Sequence, residues 1–444
     1  MNELQDQRLP PRTAEASVTA LSHDGRGIAR VGGKALFIED ALPGEQVSYR
    51  ILRRRRDYDE ARAVEVVAAS ESRVTPRCAH FGVCGGCALQ HLEPAAQIAA
   101  KQQTLLDNLK RIGGVEPQEV LPPLTGPVWG YRRRARLSAR HVGGKGRLLL
   151  GFTERHRPFV TDTRRCEVLD PKVGGSIEAL AELLGSLSIA DRIPQVELAI
   201  GDADVVLVLR VLAEPSMPDV ERLKSFEQKH GCRFYLQPGA PGTAAPLTGE
   251  PVDLHYRLPE WDVDIRFTVT DFIQVNGEIN RQLVSLALAE LGVQPGESVL
   301  DLFCGLGNFT LPLARLTDRV TGVEGDAELV ARARLNGRCN DLEQVAFHQS
   351  DLYALDQDAP WLMQCYDRIL LDPPRAGARE VIARFPPLGA KRVVYVSCHP
   401  GTLARDAKTL VEEQGYRLQK CGVLDMFPHT SHVESLAVFT REGA

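Results

Sequence analysis

One segment limits the choice of fold more than any other: Val299-Leu300-Asp301-Leu302-Phe303-Cys304-Gly305-Leu306-Gly307-Asn308-Phe309-Thr310. Apolar residues suited to a buried strand end in Gly-x-Gly and lead into a helix. Glycines there let the backbone approach a ligand closely, and the helix N-terminus offers N–H groups with no intrahelical partner. From about residue 263 the pattern alternates between strand and helix. The strand candidates are Ser298–Phe303, Val320–Val323, Val345–His348, Arg368–Leu371 and Arg392–Ser397. This alternation predicts an α/β fold with a doubly wound parallel sheet, its ligand at the carboxyl ends of the strands. The turn alone suits a dinucleotide, but that fingerprint carries a third glycine, and here the matching position is Thr310.

Acidic residues follow at the strand ends. Glu324 closes Val320-Thr321-Gly322-Val323-Glu324, 23 residues beyond Asp301, where a carboxylate accepts both hydroxyls of a ribose. Asp351 comes after the next strand, where an adenine amino group would lie. Asp372 opens Asp372-Pro373-Pro374-Arg375 at the end of the fourth. The ordered set resembles the class I S-adenosylmethionine methyltransferases, a Rossmann-like fold. A nucleotide-binding sheet with another ligand is the competing reading.

Cys398 follows the strand Val393-Val394-Tyr395-Val396, in Ser397-Cys398-His399-Pro400-Gly401. A buried structural cysteine is common on strands, but Pro400-Gly401 argues for a loop at the ligand end of the sheet. A thiolate and a base there suit one demanding methyl acceptor, carbon 5 of uracil. Thiolate addition at carbon 6 makes carbon 5 an enolate nucleophile, and a base then removes its proton so that the thiolate is eliminated. Phe427-Pro428-His429-Thr430-Ser431-His432-Val433-Glu434 offers Glu434 as that base, with His429 and His432 competing on residue type alone.

The front of the chain differs in character. Residues 14–70 hold short β-rich runs between glycine turns: Ala16–Leu21, Gly27–Val31, Lys34–Ile38, Gln46–Arg55 and Ala61–Val67. Five strands at this spacing suit a small oligonucleotide-binding (OB-like) barrel. Of the ten cysteines, Cys78, Cys84 and Cys87 fall within ten residues, a metal-type cluster that lacks a fourth ligand. Thiolates of this kind suit zinc or a [4Fe–4S] cluster. Residues 1–165 carry 27 Lys and Arg against 18 Asp and Glu, whereas the remainder carries 26 against 40. A basic front points to an anionic partner such as nucleic acid. Its basic residues concentrate at Arg53–Arg56, Tyr131–Arg136 and Arg155–Arg165, with Tyr58, Tyr131, Phe152 and Phe159 among them. Solvated faces are the bland alternative for each run.

Taken together, the chain resembles the bacterial 23S rRNA (uracil-C5)-methyltransferases of the iron–sulfur type over almost its whole length. The family's TRAM barrel corresponds to 14–70. Its cluster motif corresponds to Cys78-Ala79-His80-Phe81-Gly82-Val83-Cys84-Gly85-Gly86-Cys87, and the resemblance implies Cys166 as fourth ligand of a [4Fe–4S] cluster. It also implies S-adenosylmethionine-binding residues Gln274, Phe303, Asn308, Glu324, Asp351 and Asp372, nucleophile Cys398 and base Glu434. The implied substrate is 23S rRNA at the uracil-1939 site. With every iron ligated, the cluster is expected to be structural or RNA-positioning. One position departs from the family pattern: His399 stands where Asn is expected after the nucleophile, and an imidazole there would alter thiolate stabilisation without cancelling activity.

Three domains follow: a TRAM barrel at 14–70, a central α+β domain carrying the cluster at 75–262, and the methyltransferase domain at 263–444. A helix over Pro94–Ile112 is expected to pack on the last. Met1–Thr13 is polar, lacks the apolar core of a secretory signal, and reads as a disordered leader. No apolar run is long enough for a membrane span, so a cytoplasmic protein without a membrane partner is expected, acting as a monomer. A uracil methyltransferase acting on tRNA or another rRNA uridine is the nearest alternative. A noncatalytic RNA-binding scaffold is the alternative from another class, though such a chain should have lost part of the cysteine, glutamate and cofactor set.

Overall fold

The computed structural model describes residues 14–441; the leader expected over Met1–Thr13 lies outside them. Compactness divides the chain into two units. The first takes the chain up to Gly82, with Cys87–Ala100 and His429–Ser431. The second takes Val83–Gly86, Lys101–Pro428 and the chain from His432.

In the first unit, strands Ala14–Ser17, Ala20–Leu21, Gly27–Val31, Lys34–Glu39, Gln46–Arg54 and Tyr58–Ala68 form a six-stranded sheet. The first expected strand is divided at Val18–Thr19. Val18 donates its N–H to Glu45 O and Thr19 donates to Ile28 O, so the chain changes partners in mid-run. Ala14–Ser17 thus pairs with Gln46–Tyr49 at one edge, and Ala20–Leu21 with Gly27–Ile28 at the other. One bending segment supplies both edge strands of the sheet. Ala29, Leu36, Ile38, Val47, Tyr49 and Ala61 fill the interior.

The second unit holds two large sheets. In one, Val205–Arg210 is buried from Val205 to Leu209, so its apolar run is covered on both faces. That sheet also contains Gln195–Ile200, Arg134–Val142, Arg147–Gly151, Arg233–Gln237 and Ala245–Pro246. The other is the expected doubly wound sheet. Its strands are β1 (Val299–Leu302), β2 (Val320–Glu324), β3 (Ala346–Gln349), β4 (Arg368–Leu371), β5 (Arg392–Ser397), β6 (Arg417–Leu424) and β7 (Glu434–Thr440). They lie in the order β3-β2-β1-β4-β5-β7-β6, with the short strand Glu119–Val120 beyond β6. β1 to β5 are parallel, and β7 runs antiparallel between β5 and β6.

Strand order therefore diverges at β1, the place where an open sheet of this kind opens a crevice for ligand. Leu302 aligns with Val323 on one side and Leu371 on the other. The residues after β1, at the end of β2 and after β4 consequently share one rim. Helix α1 (Gly277–Leu291) begins at Asn276, whose side chain accepts the Ile279 N–H; α2 (Ala327–Cys339) follows β2 and α3 (Pro400–Lys408) follows β5. The turn Leu109–Gly113, which extends the helix Pro94–Asn108, packs on α3. No helix among the described residues is long and apolar enough to cross a membrane.

Candidate active site

The glycine turn after β1 is held in an unusual backbone state. Phe303 has φ 62°, followed by Gly305 at 52° and Gly307 at 92°. A bulky residue with left-handed backbone is strained, and such strain persists only where the surroundings impose it. The turn brings the Gly305 N–H to Glu324 Oε2 at 3.1 Å. Glu324 Oε1 accepts the N–H groups of Gly325 (2.7 Å) and Asp326 (3.1 Å). Its carboxylate is thus fixed at the rim before any ligand arrives. Asp351 Oδ1 accepts the N–H groups of Tyr353 (2.8 Å) and Ala354 (3.2 Å), while the residue remains exposed. The rings of Phe303 and Tyr353 lie 5.8 Å apart.

Asn308 fastens the turn to its surroundings. Its Oδ1 accepts from Tyr256 Oη and from Asn280 Nδ2, each at 2.9 Å, and its Nδ2 donates to Asn280 Oδ1 at 3.0 Å. The turn is thereby tied to α1 and to the strand His255–Leu258. Gln274 is half-buried, two residues ahead of the α1 cap Asn276. Asp301 is a residue that the sequence reading used only as part of a motif. It is fully buried and takes a hydrogen bond from Thr310 Oγ1 at 2.5 Å. Burial pushes its carboxyl up to about 8. Thr310, the departure from the dinucleotide fingerprint, therefore supplies the hydroxyl that closes the turn.

Cys398 follows the last residue of β5. Ser397 is paired with Ser435, so continuing the antiparallel register by one residue sets Cys398 opposite Glu434. Cys398 is half-buried; burial, then the nearby carboxyls of Glu434 and Asp372, push its thiol up to about 11, with Arg375 opposing. Glu434 is 2% exposed, and burial together with Asp372 holds its carboxyl well above the usual range. Burial alone pushes Asp372 up to about 7. Removal of water from all three acidic groups makes each hold a proton more tightly than it would in solution.

The neighbouring histidines have other work. His399 caps α3: its Nδ1 accepts the Thr402 N–H at 3.1 Å, the bond an asparagine side chain would make. Its own N–H donates to Ser397 Oγ at 3.1 Å. His432 Nδ1 lies 3.1 Å from Arg375 Nη2. Burial first, then the charges of Arg375, Arg132 and Lys101, push His432 down to about 4, so its ring is neutral and accepts from the guanidinium. His429 belongs to the first unit, where Gln97 Oε1 accepts its N–H at 2.8 Å. Lys101 forms a buried pair with Asp425 at 2.8 Å and also donates to Phe427 O at 2.9 Å. These bonds fix the approach to β7 and hence Glu434.

Part of the expected RNA-facing basic run turns inward. Tyr131 is 6% exposed and donates its hydroxyl to Pro428 O at 2.9 Å. Arg133 pairs with Asp202 at 2.6 Å, and Arg134 donates to Val269 O at 2.7 Å. The reading of Tyr131–Arg136 as a nucleic-acid face is corrected for these three residues: their side chains are engaged by partners within the protein. Arg53–Arg56 and Arg136 remain exposed.

Cys78, Cys84, Cys87 and Cys166 are each partly exposed. Cys84 Sγ accepts the Gly86 N–H at 3.4 Å, and Gln90 Oε1 accepts the Cys78 N–H at 3.1 Å. Among the described residues, no group of three or more His, Cys, Asp or Glu is placed to hold a metal ion.

Comparison with known proteins places the chain in a family. The tRNA (Uracil-5-)-methyltransferase family model matches residues 206–442, and the TRAM domain model matches residues 7–64. The 23S rRNA (uracil(1939)-C(5))-methyltransferase RlmD of Alkalilimnicola ehrlichii is 52% identical over 439 residues, 98% of each chain. That of Methylococcus capsulatus is 51% identical over 434 residues, again 98% of each. The solved tRNA (uracil-54, C5)-methyltransferase of Pyrococcus abyssi, in complex with S-adenosyl-L-homocysteine, shares the fold with a TM-score of 0.73. It is 24% identical and covers 96% of this chain and 100% of that one. With more than half its length in the family model and near-complete relatives at this identity, the chain belongs to the RNA uracil-C5-methyltransferase family, among its RlmD-type members, and is an S-adenosylmethionine-dependent uracil-C5-methyltransferase.

Proposed function

We propose that the protein methylates carbon 5 of uridine 1939 in 23S rRNA through a covalent bond between Cys398 and carbon 6 of the base. The observation that carries the mechanism is the placement of Cys398, one residue past the end of β5, near the carboxyls of Glu434 at the start of β7 and of Asp372. The substrate assignment rests on the relatives' names and their near-complete coverage.

The rim residues fit the methyl donor. Glu324, fixed by backbone donors, accepts from ribose hydroxyls; Asp351 faces the adenine; Gln274, Phe303, Asn308 and Asp372 complete the binding set. S-adenosylmethionine supplies an electrophilic methyl group on a sulfonium cation. A positive charge at this rim offsets the carboxyls of Asp372 and Glu434 and favours ionisation of the thiol. Cys398 thiolate then adds to carbon 6 of the flipped uracil, and the electron pair of the 5,6 double bond makes carbon 5 the nucleophile. After methyl transfer, the Glu434 carboxylate takes the carbon-5 proton. The double bond re-forms and the carbon–sulfur bond breaks, returning the Cys398 thiolate. The raised affinity of Glu434 for protons suits it to that step.

By residue type alone, the soft donors Cys78, Cys84, Cys87 and Cys166 suit a [4Fe–4S] cluster, with zinc as the alternative. Such a cluster would have a structural or RNA-positioning role, and no step of methyl transfer depends on it. On this reading 14–70 is a TRAM barrel for RNA, 75–262 the cluster-bearing domain and 263–444 the catalytic domain of a cytoplasmic monomer. The likeness in fold to a tRNA enzyme keeps tRNA as the second reading. Mass spectrometry of rRNA and tRNA nucleosides from a strain lacking the protein decides between them. Loss of one 5-methyluridine from 23S rRNA at position 1939 is expected. Loss from tRNA would transfer the enzyme to the second reading, and no loss would leave a noncatalytic scaffold.

A further inference from the structure

The segment Phe152–Thr161 is a hairpin that the catalytic account does not use. Thr161 donates its N–H to Phe152 O and Glu154 donates to Phe159 O, each at 2.9 Å. Phe152, at its base, packs against the apolar core of the sheet that holds Val205–Arg210. The hairpin has a brace on one side. Gly85 donates its N–H to Thr153 O at 2.9 Å, Arg155 donates to Val83 O at 3.0 Å, and Cys84 bridges Glu154 antiparallel. This approach requires glycine, because a Cβ on Gly85 would sit 2.8 Å from Thr153 O. All of these residues lie within the second unit.

The tip carries Arg155-His156-Arg157-Pro158-Phe159, with no acidic residue. Phe159 is 53% exposed and Arg157 is exposed. The two aromatics of the hairpin thus divide: Phe152 is the anchor, whereas Phe159 is held out to solvent on a braced backbone. A rigid exposed aromatic ring among arginines is built to stack on an unpaired base, with cations beside it for the phosphates. Little conformational freedom remains to be lost on docking. A protein partner would be served as well by an aliphatic tip and has no need of the cations.

We propose that this hairpin is an RNA-docking element, in which Phe159 stacks on an unpaired base of the substrate outside the target uridine and Arg157 contacts the adjoining phosphate. The proposal rests on the reading of the protein as an RNA methyltransferase. It also gives the segment Val83–Gly86 of the cysteine motif a task, the bracing of that hairpin.

The test uses the full chain and a transcribed 23S rRNA fragment containing position 1939. Phe159→Ala should raise the KM for RNA roughly tenfold, the scale of one lost base–aromatic stack, with kcat and S-adenosylmethionine affinity unchanged. Phe159→Trp should restore the KM, and its added indole fluorescence should be quenched on mixing with RNA beyond the quenching of the parent protein. Arg157→Ala should weaken RNA binding and reduce its salt dependence by about one counterion. If the parent protein methylates the fragment while Phe159→Ala matches its KM and Phe159→Trp shows no extra quenching, the docking proposal is overturned alone. If the parent protein does not methylate the fragment, the assigned substrate falls, and quenching at position 159 still reports whether the hairpin binds RNA. Quenching there supports the docking proposal; its absence overturns it.

Discussion

Cys398 carries its proton in the substrate-free protein. Burial and two neighbouring carboxyls hold the thiol up to about 11. The thiolate fraction therefore grows with pH, and alkylation of Cys398 by iodoacetamide should keep accelerating until about pH 11. S-adenosylmethionine should lower that midpoint, because its sulfonium cation offsets Asp372 and Glu434. S-adenosylhomocysteine, which lacks the cation, should lower it far less. Peptide mapping of the alkylated protein across a pH series checks both outcomes; an equal effect of the two ligands would remove charge compensation from the account. At this scale the sequence was informative wherever chemistry demands a residue type. Cys398 was identifiable because it ends a strand ahead of Pro-Gly. Glu434 was less so, since His429 and His432 competed with it. The three differ in environment: His432 is a neutral acceptor for Arg375, and His429 bonds Gln97 in the first unit. Residue type does not report environment.

The elements differ in how clearly the sequence announced them. β1 to β5 lie within one residue of their expected spans at either end, because apolar runs bounded by turn residues mark buried parallel strands. β6 and β7 were not expected. They form an antiparallel addition to a parallel pattern, and Glu434 lies on the first residue of β7. Composition shows the charge of the Tyr131–Arg136 run but not the direction of its side chains, and Tyr131, Arg133 and Arg134 find partners within the protein. The departure at His399 has a local account as the cap of α3. His399→Asn should therefore retain most of the activity. His399→Ala should loosen the turn that carries Cys398, at a cost of about 1 kcal/mol for the lost cap. Thermal melts and kcat for both variants check this, with S-adenosylmethionine affinity as the control. Equal loss in both would mean that the imidazole does more than cap.

For the whole molecule, the basic front and acidic back were visible as a charge split along the chain. The cysteine motif was visible as spacing, whereas Cys166 was reachable only through family resemblance, since it is distant in sequence. Anaerobically purified protein should contain about four iron and four sulfide per chain with little zinc, the stoichiometry of a fully ligated cluster. Metal analysis showing one zinc and no sulfide would replace the cluster with a zinc site and leave the methyl-transfer chemistry unchanged. That chemistry is the centre of the account, and Glu434→Gln tests it most directly. The variant, given S-adenosylmethionine and the 23S rRNA fragment, should lose the step that removes the carbon-5 proton. A denaturing gel should then show a stable protein–RNA adduct, which mass spectrometry places between Cys398 and a methylated uracil, and Cys398→Ala should abolish it. Normal turnover by Glu434→Gln with no adduct would contradict both the base assignment and the covalent route.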